Sequence, residues 1–290
     1  MKFKIIISRL LVMLLTISII AAIPINKVHA DAYKVVTLGA DLTDQQKEEM
    51  LKYFNVNRNE VNLLEVNRDE EVKYLGGVAS EKEIGTKSIS CSYVEPTNKG
   101  GLNISTNNIY WVSESMIRNA LITAGIQNAN VKAAAPFKVS GTAALTGILK
   151  GFENSSGGKK IDENKKKTAN EELVVTGKLG EKIGQDQAAN LINDAKKEVV
   201  KEKPKTDEEI EKIVSGVTQN YSNKLTDEDI KNITELMKKI NSLNLDFQQI
   251  KDQLNDVTKQ LKGTLTSSEA QGFFNSILNA IKSFFAKIFG

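Results

Sequence analysis

"APFKVSGTAALTGILK", residues 135–150, is the stretch on which the fold turns. An extended apolar run ends in Val139-Ser140-Gly141-Thr142, and a helix of small residues starts there. Ser140 is placed to cap that helix and Gly141 permits an unusual backbone, while Ala143, Ala144 and Gly147 let the helix lie very close to a sheet. A strand feeding such a helix is the joint of an α/β layer structure. A catalytic alternative makes Ser140 a nucleophile activated by Lys138 or Lys150. The Ser-centred elbow of hydrolases needs Gly two residues before and after the Ser, and here those positions are Lys138 and Thr142. A third reading uses the free N–H groups of the helix start to hold phosphate or carboxylate, which makes Ser140, Gly141 and Thr142 a candidate anion or ligand site, without P-loop spacing.

Upstream the chain keeps the α/β pattern. Residues 33–39 (YKVVTLG) read as a strand. Thr43-Asp44-Gln45-Gln46 is a capping box opening a helix to about residue 54. Residues 61–66 (VNLLEV) are a second strand, followed by a short acidic helix over 69–75. In residues 88–95 (SISCSYVE), Ile89, Cys91 and Tyr93 alternate with serines, the mark of a strand with one buried face. Pro96 to Gly101 is turn chemistry, and alternation resumes over 102–106, so a hairpin is expected. Cys91 falls on its apolar side and reads as an inert core thiol. Residues 113–124 (SESMIRNALITA) form a helix capped by Ser113 and ended by Gly125, and 131–137 is a strand. Strand, crossover helix and strand fit a βαβ unit.

Residues 154–167 (NSSGGKKIDENKKK) have the composition of a polar linker. Its lysines suit an anionic wall polymer; a solvated tether is the plainer account. Everything beyond is helical in pattern. Ala188, Leu191, Ile192, Ala195 and Val199 share one stripe, Pro204 breaks it, and Thr206-Asp207-Glu208-Glu209 opens the next helix. From Thr226 a long helix is expected. Ile233, Ile240, Phe247, Leu254 and Leu261 recur every seven residues, with Leu236, Leu243, Ile250 and Val257 three positions on. That is the a/d pattern of a coiled-coil seam or of a helical hairpin, with a partner from either the same or another chain. The last helix carries Phe273, Phe274, Ile277, Ile281, Phe284, Phe285 and Ile288 on a wide apolar face. It suits a membrane interface, a partner, or packing against the heptad helix.

The ends and the charges exclude several chemistries. Lys2, Lys4 and Arg9 precede an apolar run from Leu10 to Ile23, and Val28-His29-Ala30 offers small residues where signal peptidase reads. That is the pattern of a secretory signal cleaved after Ala30. An uncleaved anchor is the alternative, but the run is shorter than the about 18–20 residues a bilayer span needs. Of the 39 Lys and Arg residues, four (Lys2, Lys4, Arg9, Lys27) lie in this segment, which leaves 35 against 36 acidic residues, a net charge of −1. No phosphate-neutralising excess remains, so a nucleic-acid partner is not expected. The one histidine, His29, leaves with the signal. Ser-His-Asp and Cys-His catalysis and His-ligated metals are then unavailable. Cys91 is the one cysteine, so there is no intrachain disulfide. Paired carboxylates remain for glycan hydrolysis, with Asp41, Asp44, Glu65, Asp69, Glu95 and Glu114 as candidates. The Ser/Asn face near Tyr110 and Trp111 suits sugars or plain solvent.

Three segments together, VTLGADLTDQQ (36–46), NIYWVSESMIRNALITAGI (108–126) and APFKVSGTAALTGI (135–148), resemble an uncharacterised family of secreted proteins of Gram-positive bacteria. It is typified by Bacillus YpuA and known as domain of unknown function number one thousand and two. The likeness covers the α/β part closely and the helical tail in character. It implies export to a Gram-positive cell envelope and supplies no reaction, cofactor or catalytic residue. The fold expected is an α/β domain over residues 31–153, with a mixed sheet of about five strands, then a linker over 154–167 and an all-α hairpin or bundle over 168–290. The function expected is that of a non-enzymatic envelope module with no cofactor, acting through self-association, an envelope partner or a membrane surface. A wall-glycan binder or carboxylate-based hydrolase is the alternative.

Overall fold

The computed structural model describes residues 34–155, 160–221 and 223–264. The signal pattern of residues 1–30 and the Phe-rich face from Phe273 to Ile288 lie outside the described residues.

The chain opens with β1 (Val35–Gly39), α1 (Asp44–Phe54) and β2 (Asn62–Val66). Helix α1 starts at the expected capping box: Thr43 Oγ1 accepts the Gln46 N–H at 3.3 Å, and Gln46 Oε1 accepts the Thr43 N–H at 3.0 Å. Two short helices follow, α2 (Arg68–Leu75) and α3 (Glu81–Ile84). Then come β3 (Cys91–Pro96), β4 (Leu102–Ile109), α4 (Glu114–Thr123), β5 (Ala129–Val139) and α5 (Thr142–Glu153). The five strands form one mixed sheet in the order β2-β1-β3-β5-β4. Strands β1 and β2 are parallel, as are β4 and β5, while β3 runs antiparallel to both β1 and β5.

The hairpin expected from residues 88–106 does not form. β5 lies between β3 and β4, pairing Cys91 with Ala134 on one side and Leu102 with Ala129 on the other. Composition explains the exchange. Ala133, Ala134 and Ala135 are buried in succession, which only a strand covered on both faces allows. Asn103, Asn107 and Asn108 of β4 are exposed, which suits an edge. The connecting turn is tied to the start of β5, where Asn128 Oδ1 accepts the Gly101 N–H at 2.8 Å.

One face of the sheet presents Val36, Leu38, Cys91, Tyr93 and Ala134 to Met50, Leu51 and Phe54 of α1. The other presents Val94, Ile104, Val131 and Ala133 to α4 and α5. The small residues of α5 do there what their size allows. A Cβ on Gly147 would run into Thr37 Oγ1, which itself bonds Ser92 Oγ at 2.6 Å. The N-cap of α5 is Gly141, at φ 104°, rather than Ser140. Ser90 from the sheet supplies the cap, its Oγ accepting the Ala144 N–H at 2.7 Å.

The helical part comprises α6 (Glu163–Ile183), α7 (Gln185–Glu202), α8 (Asp207–Thr218), α9 (Asp227–Ser242) and α10 (Phe247–Thr264). Its first turn begins inside the stretch read as linker. Asp162 Oδ1 caps the N–H groups of Asn164 and Lys165, and buried Lys166 reaches Glu153 at 2.8 Å. Polar composition hid these bonds. The single long heptad helix is also corrected. It breaks between α9 and α10, where Asn244 takes φ 49° and Asp246 Oδ1 accepts the Gln248 N–H at 2.8 Å. The stripe is covered within the chain: Ile233, Leu236, Ile240, Ile250, Leu254 and Val257 are buried, and both helices pack on α7.

The described residues form one compact unit, because α4 is buried on every side. It packs on β4 beneath and on α6, α7 and α10 above. Where α4, α6 and α7 meet, Lys196 Nζ reaches Glu172 Oε1 at 2.7 Å, the Asn119 carbonyl at 2.8 Å and Thr123 Oγ1 at 3.0 Å. Neither Lys196 nor Glu172 has any exposed side-chain surface. Burial pushes the Glu172 carboxyl up and the Lys196 ammonium down from their usual ranges, while their contact opposes both shifts. Among the described residues no helix is long and apolar enough to cross a membrane.

Candidate functional site

The free edge of β4 and the first turns of α4 enclose an open cleft of about 860 Å³. In a strand, backbone groups alternate between the two edges. The Gly101 carbonyl accepts the Ala129 N–H at 3.1 Å and so faces β5. Leu102, Ile104 and Thr106 therefore turn their N–H and C=O groups outward. Two side chains of α4, one helical turn apart, meet them. The Arg118 guanidinium donates to the Leu102 carbonyl, and Glu114 Oε1 accepts the Thr106 N–H at 3.1 Å. A helix start beside an edge strand places these two groups in register because residues i and i+4 share a face.

Arg118 is buried, and its Nε has no hydrogen-bond partner among the described residues. Burial pulls its proton affinity down, and the carboxylates of Asp256 and Glu114 oppose that. Asp186, at the start of α7, lines the same cleft. Burial alone raises its carboxyl above the usual range. Tyr110 stands at the mouth, 64% exposed. Asn103 and Asn130 continue the polar lining, 3.5 Å apart, and Asn130 Nδ2 donates to Glu95 at 2.9 Å. Glu114, Asp186 and Arg118 thus line one cleft, and of the two carboxylates Glu114 acts on the guanidinium. Ser113 Oγ accepts the Met116 N–H at 3.3 Å as the α4 cap, and Ser115 is buried. Among the described residues no group of three His, Cys, Asp or Glu side chains is placed to hold a metal ion.

The residues singled out in the sequence are distributed as follows. Ser140, Gly141 and Thr142 lie at the joint between β5 and α5. A Cβ on Gly141 would clash with Ile109, and Thr142 Oγ1 lies 3.3 Å from the Ile84 carbonyl. The negative charge near that helix start is the chain's own Glu71, which is buried, bonded by Ser88 Oγ and beside Thr142. The carboxylates named as candidates are scattered. Asp41 accepts the Ser88 N–H, Glu65 pairs with Lys47 at 2.5 Å, Asp44 and Asp69 lie in the first turns of α1 and α2, and Glu95 accepts from Tyr93. Glu114 alone of them lines the cleft. Trp111 is buried, its Nε1 donating to Glu181 at 3.2 Å and its ring closing on Gly177, so it offers no face to a sugar. Cys91 is buried and its thiol is pushed up to about 12 by burial.

Arg118 and Asp186 were not candidates in the sequence. For Arg118 a signal existed: a lone cation four residues after Glu114 in a helix otherwise uncharged. For Asp186 there was none, because the cleft joins it to β4 across more than seventy residues of chain.

The family described as "Protein of unknown function (DUF1002)" matches residues 38–257. The chain is 40% identical over 260 residues to "Uncharacterized protein YpuA" of Bacillus subtilis (strain 168), covering 87% of this chain and 89% of that protein. No solved structure matches.

Proposed function

We propose that this chain, which belongs to the DUF1002 family, is a non-enzymatic binding module of the Gram-positive cell envelope, with the β4–α4 cleft as its ligand surface. The observation that carries this reading is the lining of the cleft: amides, carboxylates, a guanidinium and the exposed Tyr110. Residues 31–290 contain no histidine, which removes the commonest general base once the signal segment is cleaved. Export rests on the basic and apolar pattern of the first thirty residues. The test is titration of the purified protein with soluble wall fragments, followed by calorimetry and by mass spectrometry of the fragments. Saturable binding lost in Tyr110→Ala and Asp186→Asn, with no new product, supports it. Turnover by the wild type overturns it.

One observation favours a second reading. Asp186, with its raised carboxyl, and Glu114, which accepts a backbone N–H, line the same cleft. Glycosidases divide acid and base between two such carboxyl groups. Hydrolysis of wall glycan abolished by both Asp186→Asn and Glu114→Gln is what this reading requires.

A further inference from the structure

We infer that the occupant of the cleft is an extended polypeptide that adds to the free edge of β4 and sets a basic side chain against Asp186 and Glu114. This rests on the binding-module reading and names the ligand class.

The edge of a sheet is a template for another strand, and most proteins blunt it. Here the blunting is partial. Arg118 takes the Leu102 carbonyl and Glu114 takes the Thr106 N–H. Between them Ile104 turns the same way, and no hydrogen bond to its outward N–H or C=O occurs among the described residues. The gap is one residue of open ladder, flanked by two side chains that mimic a continuing strand. Arg118 is held at the Leu102 carbonyl with its Nε buried and unpartnered. Glu114 retains acceptor capacity on its carboxylate for an incoming N–H. An added strand finds two backbone partners at Ile104 and one charged surrogate on each side, which is strand addition with built-in ends.

Charge decides what the side chains of that strand carry. The cleft holds Glu114 and Asp186 against Arg118 alone, and Asp256 adds a further negative field at Arg118. Asp186 lines the cleft and makes no ion pair among the described residues, and a lysine or arginine of the ligand supplies one. A saccharide meets the Asn103–Asn130 wall and Tyr110 equally well. It has neither the alternating N–H and C=O of an amide ladder nor, unless aminated, a positive charge.

The experiment is a titration of the isotopically labelled protein with four probes, read at the Ile104 amide by NMR and hydrogen exchange. The probes are acetyl-(Lys-Val)3-amide, its analogue N-methylated at each valine, acetyl-(Glu-Val)3-amide, and chitotetraose. The Lys-Val peptide is expected to bind saturably and slow Ile104 exchange about tenfold, with the N-methylated and Glu-Val peptides about tenfold weaker or more. Asp186→Asn is expected to weaken the Lys-Val peptide and leave the far-UV spectrum unchanged. Equal binding of the N-methylated peptide overturns the inference, as does binding that leaves Ile104 unmoved. Protection of Ile104 by protein concentration alone also overturns it and makes the occupant a second copy. Chitotetraose shifting Tyr110 while no peptide binds removes the peptide and keeps the binding module. Silence of all four probes at the cleft, with hydrolysis of chitotetraose, removes both.

Discussion

Lys196 and Glu172 meet at 2.7 Å with no part of either side chain exposed to solvent. Their contact joins α6 to α7, and the Asn119 carbonyl and Thr123 hydroxyl bring in α4. Deleting one member of a buried pair strands the other charge, a loss of about 3–5 kcal/mol. Lys196→Met and Glu172→Leu are each expected to lose that much in urea titrations, and the double variant to regain most of it. A single-variant loss under about 1 kcal/mol contradicts a sealed pair.

Gly147 is where α5 lies against the sheet. Gly147→Ala forces a methyl onto Thr37 and Ser92 and is expected to cost about 1–3 kcal/mol. Gly77→Ala meets open space and is the control, expected within about 0.5 kcal/mol of wild type. Equal midpoints for the two variants would show that the helix sits higher than described.

Glu71 sets a pH dependence. Burial raises its folded carboxyl above the ordinary value of 4.5, against the opposing bonds from Ser88 and Thr142. A raised acid binds its proton more tightly folded than unfolded. Its stabilising contribution is therefore complete below 4.5 and is lost as pH climbs through the raised value. Glu71→Gln is expected to flatten that slope while keeping an acceptor for Ser88. Denaturation midpoints collected across the range from pH 4 to 8 in both proteins, about ten points each, check it. An unchanged slope places the titration elsewhere.

Trp111 reports on the union of sheet and bundle. It is the one tryptophan, buried where the β4–α4 joint receives α6. Its emission is expected to be blue-shifted and to change at the same denaturant midpoint as the far-UV circular dichroism. Two separated midpoints mean that the helical part unfolds on its own. Gly177→Leu, which removes the seat of the indole, is expected to red-shift the native emission.

Local signals were legible in the sequence and long-range ones were not. The capping box at Thr43, the helix start at Thr226, the left-handed Gly125 and the strands themselves follow from side chains that act on neighbours. The stripe of Ala188, Leu191, Ile192, Ala195 and Val199 is buried as its spacing implied. Strand order was hidden, since alternation over 88–106 describes two strands without saying which third strand enters between them. Heptad spacing across Leu243 concealed a break, because Asn244 and Asp246 end and restart helices without disturbing the apolar period. Lys166 falls in the stretch read as a solvated tether, and nothing beside Lys196 in sequence marks it for burial, since burial of a charge depends on partners far away. For the cleft, Glu114, Tyr110 and the asparagines of β4 were visible as polar residues. That they face Asp186 became visible only once α7 was laid beside them.

Insertion of β5 between β3 and β4 has a kinetic consequence. A chain that has reached residue 128 has the partners to pair β1 with β2 and β3, but β4 has no neighbour to pair with and the buried sides of α4 lack their cover. Completing the sheet is an act of intercalation late in the sequence, with non-local pairings that slow folding. Until then the nascent molecule carries unmatched strand edges of the kind that self-associate. The protein thus has reason to meet a chaperone, or to be kept unfolded, until about 140 residues are available at once.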